Sequence, residues 1–440
     1  MSPQQAGTST RSQLSKIALG SVVGTAIEWY DFFLYGTVSA LVLGQQFFPE
    51  FSPAAGTIAA FGTFAAGYVA RPVGAVLFGH LGDRIGRKPI LFITLLMMGI
   101  ASTLIGLTPT YASIGIAAPV ILVALRLVQG LGVGGEWGGA VLVAVEDAPR
   151  NRRALFGTLP QLGVPLGLLA STGVLGIVSR LPEDVFNSWG WRIPFLLSAV
   201  LVAIALIIRT RLPETNAFTQ SRHKRQRLPL LAALRRYPRN LLTALGTRFA
   251  TDITFNVANV FALSYATAHL GLSRQLMLDA ITIASAVELL TLPIFGLLAD
   301  RFGKRRIFLV GCVFVAAYGF MFFAMLNTGA TGWVIVGYIG TLALSQACVY
   351  GVQASLFAEL FPANIRYTGA SLPYQFAGIL TSAPTPLIAA ALFNSSGSVW
   401  PIAVYIAVTA AISFVAAALM RTVSTTSDSV SPSPTGRRSA

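Results

Sequence analysis

Stretches of about 20 consecutive apolar residues recur along this chain, each long enough for a helix to cross roughly 30 Å of hydrocarbon. Twelve can be counted, at residues 17–43, 56–79, 89–107, 115–145, 155–178, 192–209, 240–267, 278–299, 307–327, 332–356, 370–393 and 400–420. Only 11% of the 440 residues are charged, where a soluble domain carries about a quarter. Too few charges remain to build a water-facing surface at this size. The chain reads as an all-α membrane protein with twelve transmembrane helices.

The net charge of +15 does not mark a nucleic-acid surface, because the basic residues fall in short clusters between apolar spans. Twenty-five of the 31 lysines and arginines lie on one side if the N-terminus is cytoplasmic, against only Arg180, Arg192 and Arg274 in the opposite loops. The positive-inside rule then puts both termini in the cytoplasm, and the plasma (inner) membrane is the expected location. Met1 to Ser15 shows no signal-cleavage pattern. Composition divides the chain into a tail (1–16), a six-span bundle (17–209), a basic linker (210–239), a second six-span bundle (240–420) and a Ser/Pro-rich tail read as disordered (421–440). Cys312 and Cys348 lack metal-ligand spacing. No metal or cofactor is expected beyond a proton as coupling ion, and no catalytic cluster marks an enzyme. The expected partners are membrane lipid and a small-molecule substrate, with the chain acting as a monomer.

The two bundles are related. GHLGDRIGRK (Gly79–Lys88) after span 2 and GLLADRFGKR (Gly296–Arg305) after span 8 align without a gap at an offset of 217. Glu146, Pro149 and Arg153 at the exit of span 4 match Glu359, Pro362 and Arg366 at the exit of span 10, at an offset of 213. A duplicated six-helix unit is a transporter signature, with solute expected at the repeat interface near the midplane.

The first of these loops resembles the loop 2–3 signature of the major facilitator superfamily, and RLVQGLG (Arg126–Gly132) resembles its span-4 motif. GTAIEWYDFFLYG, GLGVGGEWGGA, SWGWRIPF and FPANIRYTGAS resemble the metabolite:H+ symporter family, which includes shikimate, 2-oxoglutarate, citrate and proline/betaine carriers. The resemblance runs from span 1 to span 12. It implies the major facilitator fold and proton-coupled uptake of a small organic acid (shikimate-, dicarboxylate- or aromatic-acid-like) by alternating access. Osmosensing proline/betaine members carry a C-terminal coiled coil, and the tail here lacks apolar heptads.

Eight ionisable residues fall inside spans: Glu28, Asp31, Arg71, Arg126, Glu136, Arg248, Asp252 and Glu288. At about 2.5–3.5 kcal/mol each, exposing all of them to lipid would cost on the order of 20–28 kcal/mol, more than typical folding stability. They must face a polar interior or one another. Glu28 and Asp31 are i,i+3 neighbours, and two carboxylates in one dry site do not both ionise easily, which makes the pair, Asp31 first, the candidate proton carrier. Arg126 reads as counter-ion to a span-1 carboxylate, and the resemblance ties the matching arginine to proton coupling. Glu136, a further proton-coupling candidate, sits in a glycine row (Gly130, Gly134, Gly138) suited to close helix packing.

Arg248 and Asp252 are spaced i,i+4 for mutual pairing. If Arg248 is free instead, it is the candidate for holding a substrate carboxylate, with Arg71 as a second. Glu288 is read equally as substrate contact or structural partner. Trp29, Tyr30, Asn256 and Gln346 are candidate lining residues. The resemblance implies gating by the two inner loops: Gly79, Asp83, Arg84, Gly86, Arg87 and Lys88 against span 11, and Asp300, Arg301, Gly303 and Lys304 against span 5. Zwitterion (proline/betaine) uptake and, less favoured on a faint GVPLG pattern in span 5, drug or metabolite export are the competing readings.

Overall fold

The structure, a computed structural model, describes residues 22, 24–85, 87–134, 145, 148–211, 234–362 and 365–421. Among them no strand occurs, and twelve long helices follow one another. They are α1 (24–47), α2 (Pro53–Ile85), α3 (Arg87–Leu107), α4 (Ala117–Val133), α5 (Arg153–Val178) and α6 (Ile193–Arg211), then α7 (238–268), α8 (Arg274–Phe302), α9 (Lys304–Asn327), α10 (Thr331–Leu360), α11 (366–396) and α12 (Trp400–Ala418). Each coincides with an expected apolar span. Most of the basic linker and of both tails lies outside the described residues.

Apolar side chains point outward as a lipid-facing protein requires. Val69, Val73 and Val76 on α2, and Leu290, Ile294 and Leu297 on α8, are each at least half exposed. The polar groups of the same helices, Arg71 and Glu288, are buried. α7 inverts the usual composition: Thr243, Thr247, Arg248, Thr251, Asp252, Thr254, Asn256 and Asn259 are all buried within the protein.

The two six-helix groups meet through counterpart pairs, α5 against α8 and α2 against α11, as a two-fold repeat requires. Wide π-turns interrupt α1 at Ser39–Leu43 and α7 at Val257–Phe261, at nearly the offset read from the loops. Two more open α10 at Ile339–Gln346 and α11 at Gly378–Ser382. Such widened turns leave backbone groups unpaired within the helix and are frequent at functional sites.

The glycine row explains the tightest seam. A Cβ on Gly130 would stand 2.0 Å from the Gly67 carbonyl oxygen, one on Gly74 2.0 Å from that of Leu131, and one on Gly134 2.2 Å from that of Arg71. Backbone meets backbone, and α2 and α4 lock together. The SWGWRIPF stretch performs a similar tie at the outer end of α6. Trp191 is fully buried, and Arg192 Nη1 donates to the carbonyls of Gly106 (2.8 Å) and Thr108 (2.6 Å) at the end of α3.

Candidate functional site

A cavity of about 40 Å³ lies between the two groups of helices. It is lined by Trp29 and Phe33 of α1, Tyr68 and Arg71 of α2, Val164 of α5, five residues of α7 (Arg248, Thr251, Asp252, Phe255, Asn256), Gln346 and Tyr350 of α10, and Tyr374, Gly378 and Ser382 of α11. That space holds about three waters, so a solute needs a wider arrangement of the same walls. Prolines inside α2 (Pro72) and α11 (Pro373) adjoin Arg71 and Tyr374. Each breaks an i→i−4 hydrogen bond beside the cavity.

Two guanidinium groups reach this cavity, and they differ. Arg248 is saturated. Its Nη2 and Nε (3.3 Å) contact the two oxygens of Asp252, its Nη1 donates to Gln353 Oε1 at 2.7 Å, and its carbon centre lies 4.2 Å from the Tyr374 ring. Asp252 accepts a further bond from Thr381 Oγ1 at 2.7 Å. The i,i+4 pairing is thus the one formed, and Arg248 is not the free cation. Arg71 is. Its carbon centre stacks 4.0 Å from Phe32, 4.2 Å from Tyr68 and 5.3 Å from Trp29. Its Nε and Nη2 are buried with no hydrogen-bond acceptor among the described residues. A buried cationic donor left this way is costly unless an acceptor arrives.

Asp31 does not line the cavity. It is sealed inside the first bundle, where Oδ1 accepts from the Ser198 hydroxyl of α6 and Oδ2 has no hydrogen-bond partner among the described residues. Of the two span-1 carboxylates that Arg126 could face, Asp31 makes no direct ion pair with it. Arg126 Nη1 reaches Gln129 Oε1 on its own helix at 2.5 Å, Gln129 Nε2 donates to Ser102 Oγ at 2.6 Å, and Ser102 stands beside Asp31. The guanidinium is instead caged by Phe32 (4.3 Å), Tyr35 (4.1 Å) and Phe64 (5.3 Å). Phe32 is therefore flanked by both Arg71 and Arg126. Aromatic faces stabilise desolvated cations by about 2 kcal/mol, and the glycine at Gly67 makes room: a Cβ there would lie 2.9 Å from Arg126 Nε.

The other sequence candidates divide. Trp29, Asn256 and Gln346 line the cavity. Tyr30 does not: it is buried and donates to the Pro194 carbonyl at 2.8 Å, tying α1 to α6. Glu28 is buried outside the lining, and Glu288 is buried behind it. Glu136 and Gly86 lie outside the described residues, and Gly79, Asp83, Arg84, Arg87 and Lys88 are described as helix backbone only.

The second inner loop is fully described. Asp300 accepts from the backbone N–H groups of Ala154 (2.8 Å) and Leu155 (2.9 Å) at the start of α5. Lys304 pairs with Glu359 of α10. Gly303 turns the chain between α8 and α9 at φ +98°, a backbone conformation that favours glycine. Arg301 stacks on the neighbouring Phe302 at 5.2 Å.

Twelve spanning helices in two matched groups, with unpaired charge walled between them, define a membrane carrier. The sequence profile of the Major Facilitator Superfamily matches residues 21–372 and 244–439. The chain is 42% identical over 421 residues to the shikimate transporter of Escherichia coli (strain K12), covering 94% of this chain and 96% of that one. It is 34% identical over 424 residues to the proline/betaine transporter of the same organism, covering 93% and 84%. Among solved structures, a D-xylose–proton symporter superposes with a TM-score of 0.71 at 19% identity, over 91% of this chain and 97% of that one, a likeness of fold. The chain belongs to the major facilitator superfamily and, within it, to the metabolite:H+ symporter family. It is a multi-pass membrane transporter and not an enzyme.

Proposed function

We propose that the chain takes a small organic acid across the plasma (inner) membrane together with a proton, working as a monomer with both termini cytoplasmic. The observation that carries this reading is the Arg71 guanidinium in the central cavity, whose Nε and Nη2 find no acceptor among the described residues. Arg248 and Asp252 neutralise each other, so the described lining keeps one surplus positive charge, complementary to a carboxylate held bidentately. Trp29, Phe33, Tyr68 and Tyr374 offer faces for a ring, and Asn256 and Gln346 offer polar contacts for hydroxyls. Similarity to a shikimate transporter supports a shikimate-, dicarboxylate- or aromatic-acid-like solute. A zwitterion would need an unneutralised acid within the lining, and Asp252, the acid there, is already paired; similarity to a proline/betaine transporter keeps that reading as the alternative.

In this reading Asp31 carries the proton. Its unpartnered Oδ2 accepts it, and the chain Arg126–Gln129–Ser102 senses the loss of charge. Phe32, adjacent to Asp31 and stacked between Arg126 and Arg71, transmits the change to the solute site. Asp300 closes the inner face by capping α5, and Asp83 would repeat the contact against α11. The test is uptake by purified protein in proteoliposomes, with shikimate, 2-oxoglutarate, a benzoate-type acid, proline and betaine, with and without an imposed pH gradient. Accumulation of an acid driven by an alkaline interior is expected. Accumulation of betaine or proline but no acid would overturn the reading.

A further inference from the structure

The offset of 217 that superposes the two inner loops carries Arg71 of α2 onto Glu288 of α8. Each stands the same distance before its loop aspartate, Asp83 or Asp300. Repeats related by an axis along the membrane normal place such counterparts at one depth on opposite flanks of the solute cavity. The fold therefore puts a cation on one flank and an acid on the other.

Glu288 is 0% exposed, and neither Oε1 nor Oε2 has a hydrogen-bond partner among the described residues. The helices packed against α8 are α5, α7, α9 and α10. Among their other ionisable groups, Arg248 pairs with Asp252, Cys312 lies beside Cys348, Tyr338 donates to the Ala258 carbonyl (2.9 Å), Tyr318 to that of Val336 (3.1 Å) and Tyr265 to Asn327 (2.9 Å), while Lys304 and Glu359 pair at the inner end, where Arg153, Arg239, Arg305 and Arg306 also stand. Tyr350, on the α10 helix that packs against α8, lies within electrostatic range of Glu288. Its hydroxyl is also unpartnered, and it lines the cavity. One turn earlier on α10, the Gln346 Oε1 at the cavity wall has no partner either. A carboxylate stripped of water and of every donor is neutral rather than ionised. Glu288 thus has the placement of an acid that is charged only when water reaches it past Tyr350.

We propose that Glu288 is a second proton-binding site of this carrier, filled in the contracted state and emptied past Tyr350 into the solute cavity when that cavity opens to the cytoplasm. The inference rests on the proton-coupled reading above and adds to it. A proton from external water joins one Glu288 oxygen, and the same O–H bond breaks to cavity water on the inner side. Nothing is oxidised or reduced. Arg71 holds the solute anion on one flank while the acid on the other adds no charge to repel it.

The experiment compares wild type, Glu288→Gln and Glu288→Asp in proteoliposomes, with shikimate as the solute. Counterflow is measured without a gradient, and the proton-to-solute ratio is taken from the reversal potential. Infrared difference spectra follow the carbonyl stretch of a protonated carboxyl. Glu288→Gln is expected to keep counterflow near wild type, to lower the ratio by one proton and to remove one carboxyl band. Glu288→Asp is expected to restore the ratio and shift that band. An unchanged ratio in Glu288→Gln overturns the proposal, as does loss of its counterflow with every carboxyl band retained, which would make Glu288 a solute ligand. If Glu288→Gln fails to assemble, a carboxyl band that Glu288→Asp leaves unmoved overturns it instead. Wild-type protein with no pH-driven accumulation would sink the symport reading itself, an outcome distinct from these.

Discussion

Asp300 offers the most direct handle on the conformational cycle. Its two oxygens take one backbone N–H each from Ala154 and Leu155 across the interface between the two bundles. Asp300→Asn keeps the shape, removes the charge and turns one acceptor into a donor facing an N–H group. A hydrogen bond to a charged group contributes about 1.5–3 kcal/mol net, and a carboxylate at a helix N-terminus adds about 0.3–1 kcal/mol. Losing one bond and the charge should therefore destabilise the inner closure by about 2 kcal/mol, which moves a two-state ratio roughly 30-fold. The change is local to the contact, so the ratio of inner-open to inner-closed molecules should take up the whole shift. Spin labels at Asn151→Cys and Phe302→Cys, both exposed and flanking the contact, would report it as a longer-distance population in pulsed electron resonance. The native Cys312 and Cys348 are buried and should escape labelling. If the distance distributions of wild type and Asp300→Asn coincide while helicity is unchanged, Asp300 is a fixed brace and not a latch.

Arg71→Gln should weaken acid uptake far more than a surface change would, because losing one partner of a buried charge pair costs about 2–5 kcal/mol; the check is a KM raised by at least roughly 30-fold, with the protein still monodisperse. Asp31→Asn should abolish pH-driven accumulation while leaving solute counterflow, and pH-driven accumulation at wild-type level would remove Asp31 from coupling. Gly74→Leu should lower the thermal unfolding midpoint in detergent, since its first side-chain carbon would stand 2.0 Å from a backbone oxygen and overpacking costs about 1–3 kcal/mol or more. Gly173→Ala, where nothing lies within 4 Å, should leave the midpoint unchanged or slightly raised.

Apolar run length made the helices legible, because a spanning helix has one length to satisfy and no soluble competitor. The Arg248–Asp252 pair was half legible: i,i+4 spacing on one helix allows it, but a free Arg248 holding the solute fits the same sequence, and only the structure shows the pair formed. Direction around a helix was harder to read. Asp31 and Tyr30 sit one residue apart, yet both face α6 rather than the solute, while Trp29 faces the cavity. Arg126 looked bound for span 1, but Gln129, three residues along its own helix, was within reach throughout. Tyr68 and Tyr374 were passed over, although Tyr68 lies one turn from Arg71 and Tyr374 adjoins Pro373. The π-turns left no mark in the sequence, since they arise from packing between helices and not from any residue's own preference.

The polarity of α7 bears on how the protein is made. A segment carrying Arg248, Asp252, three asparagines and several threonines inside its helix gains little by partitioning alone into lipid as it leaves the ribosome. Its shelter includes the last helix of the chain: Ser413 of α12 accepts from the Ala250 N–H and donates to the Gly246 carbonyl, each at 2.8 Å. Until α12 is synthesised, α7 lacks that cover. A chain truncated before Trp400 should therefore be held by insertion factors or degraded, whereas α1–α6 could already be assembled.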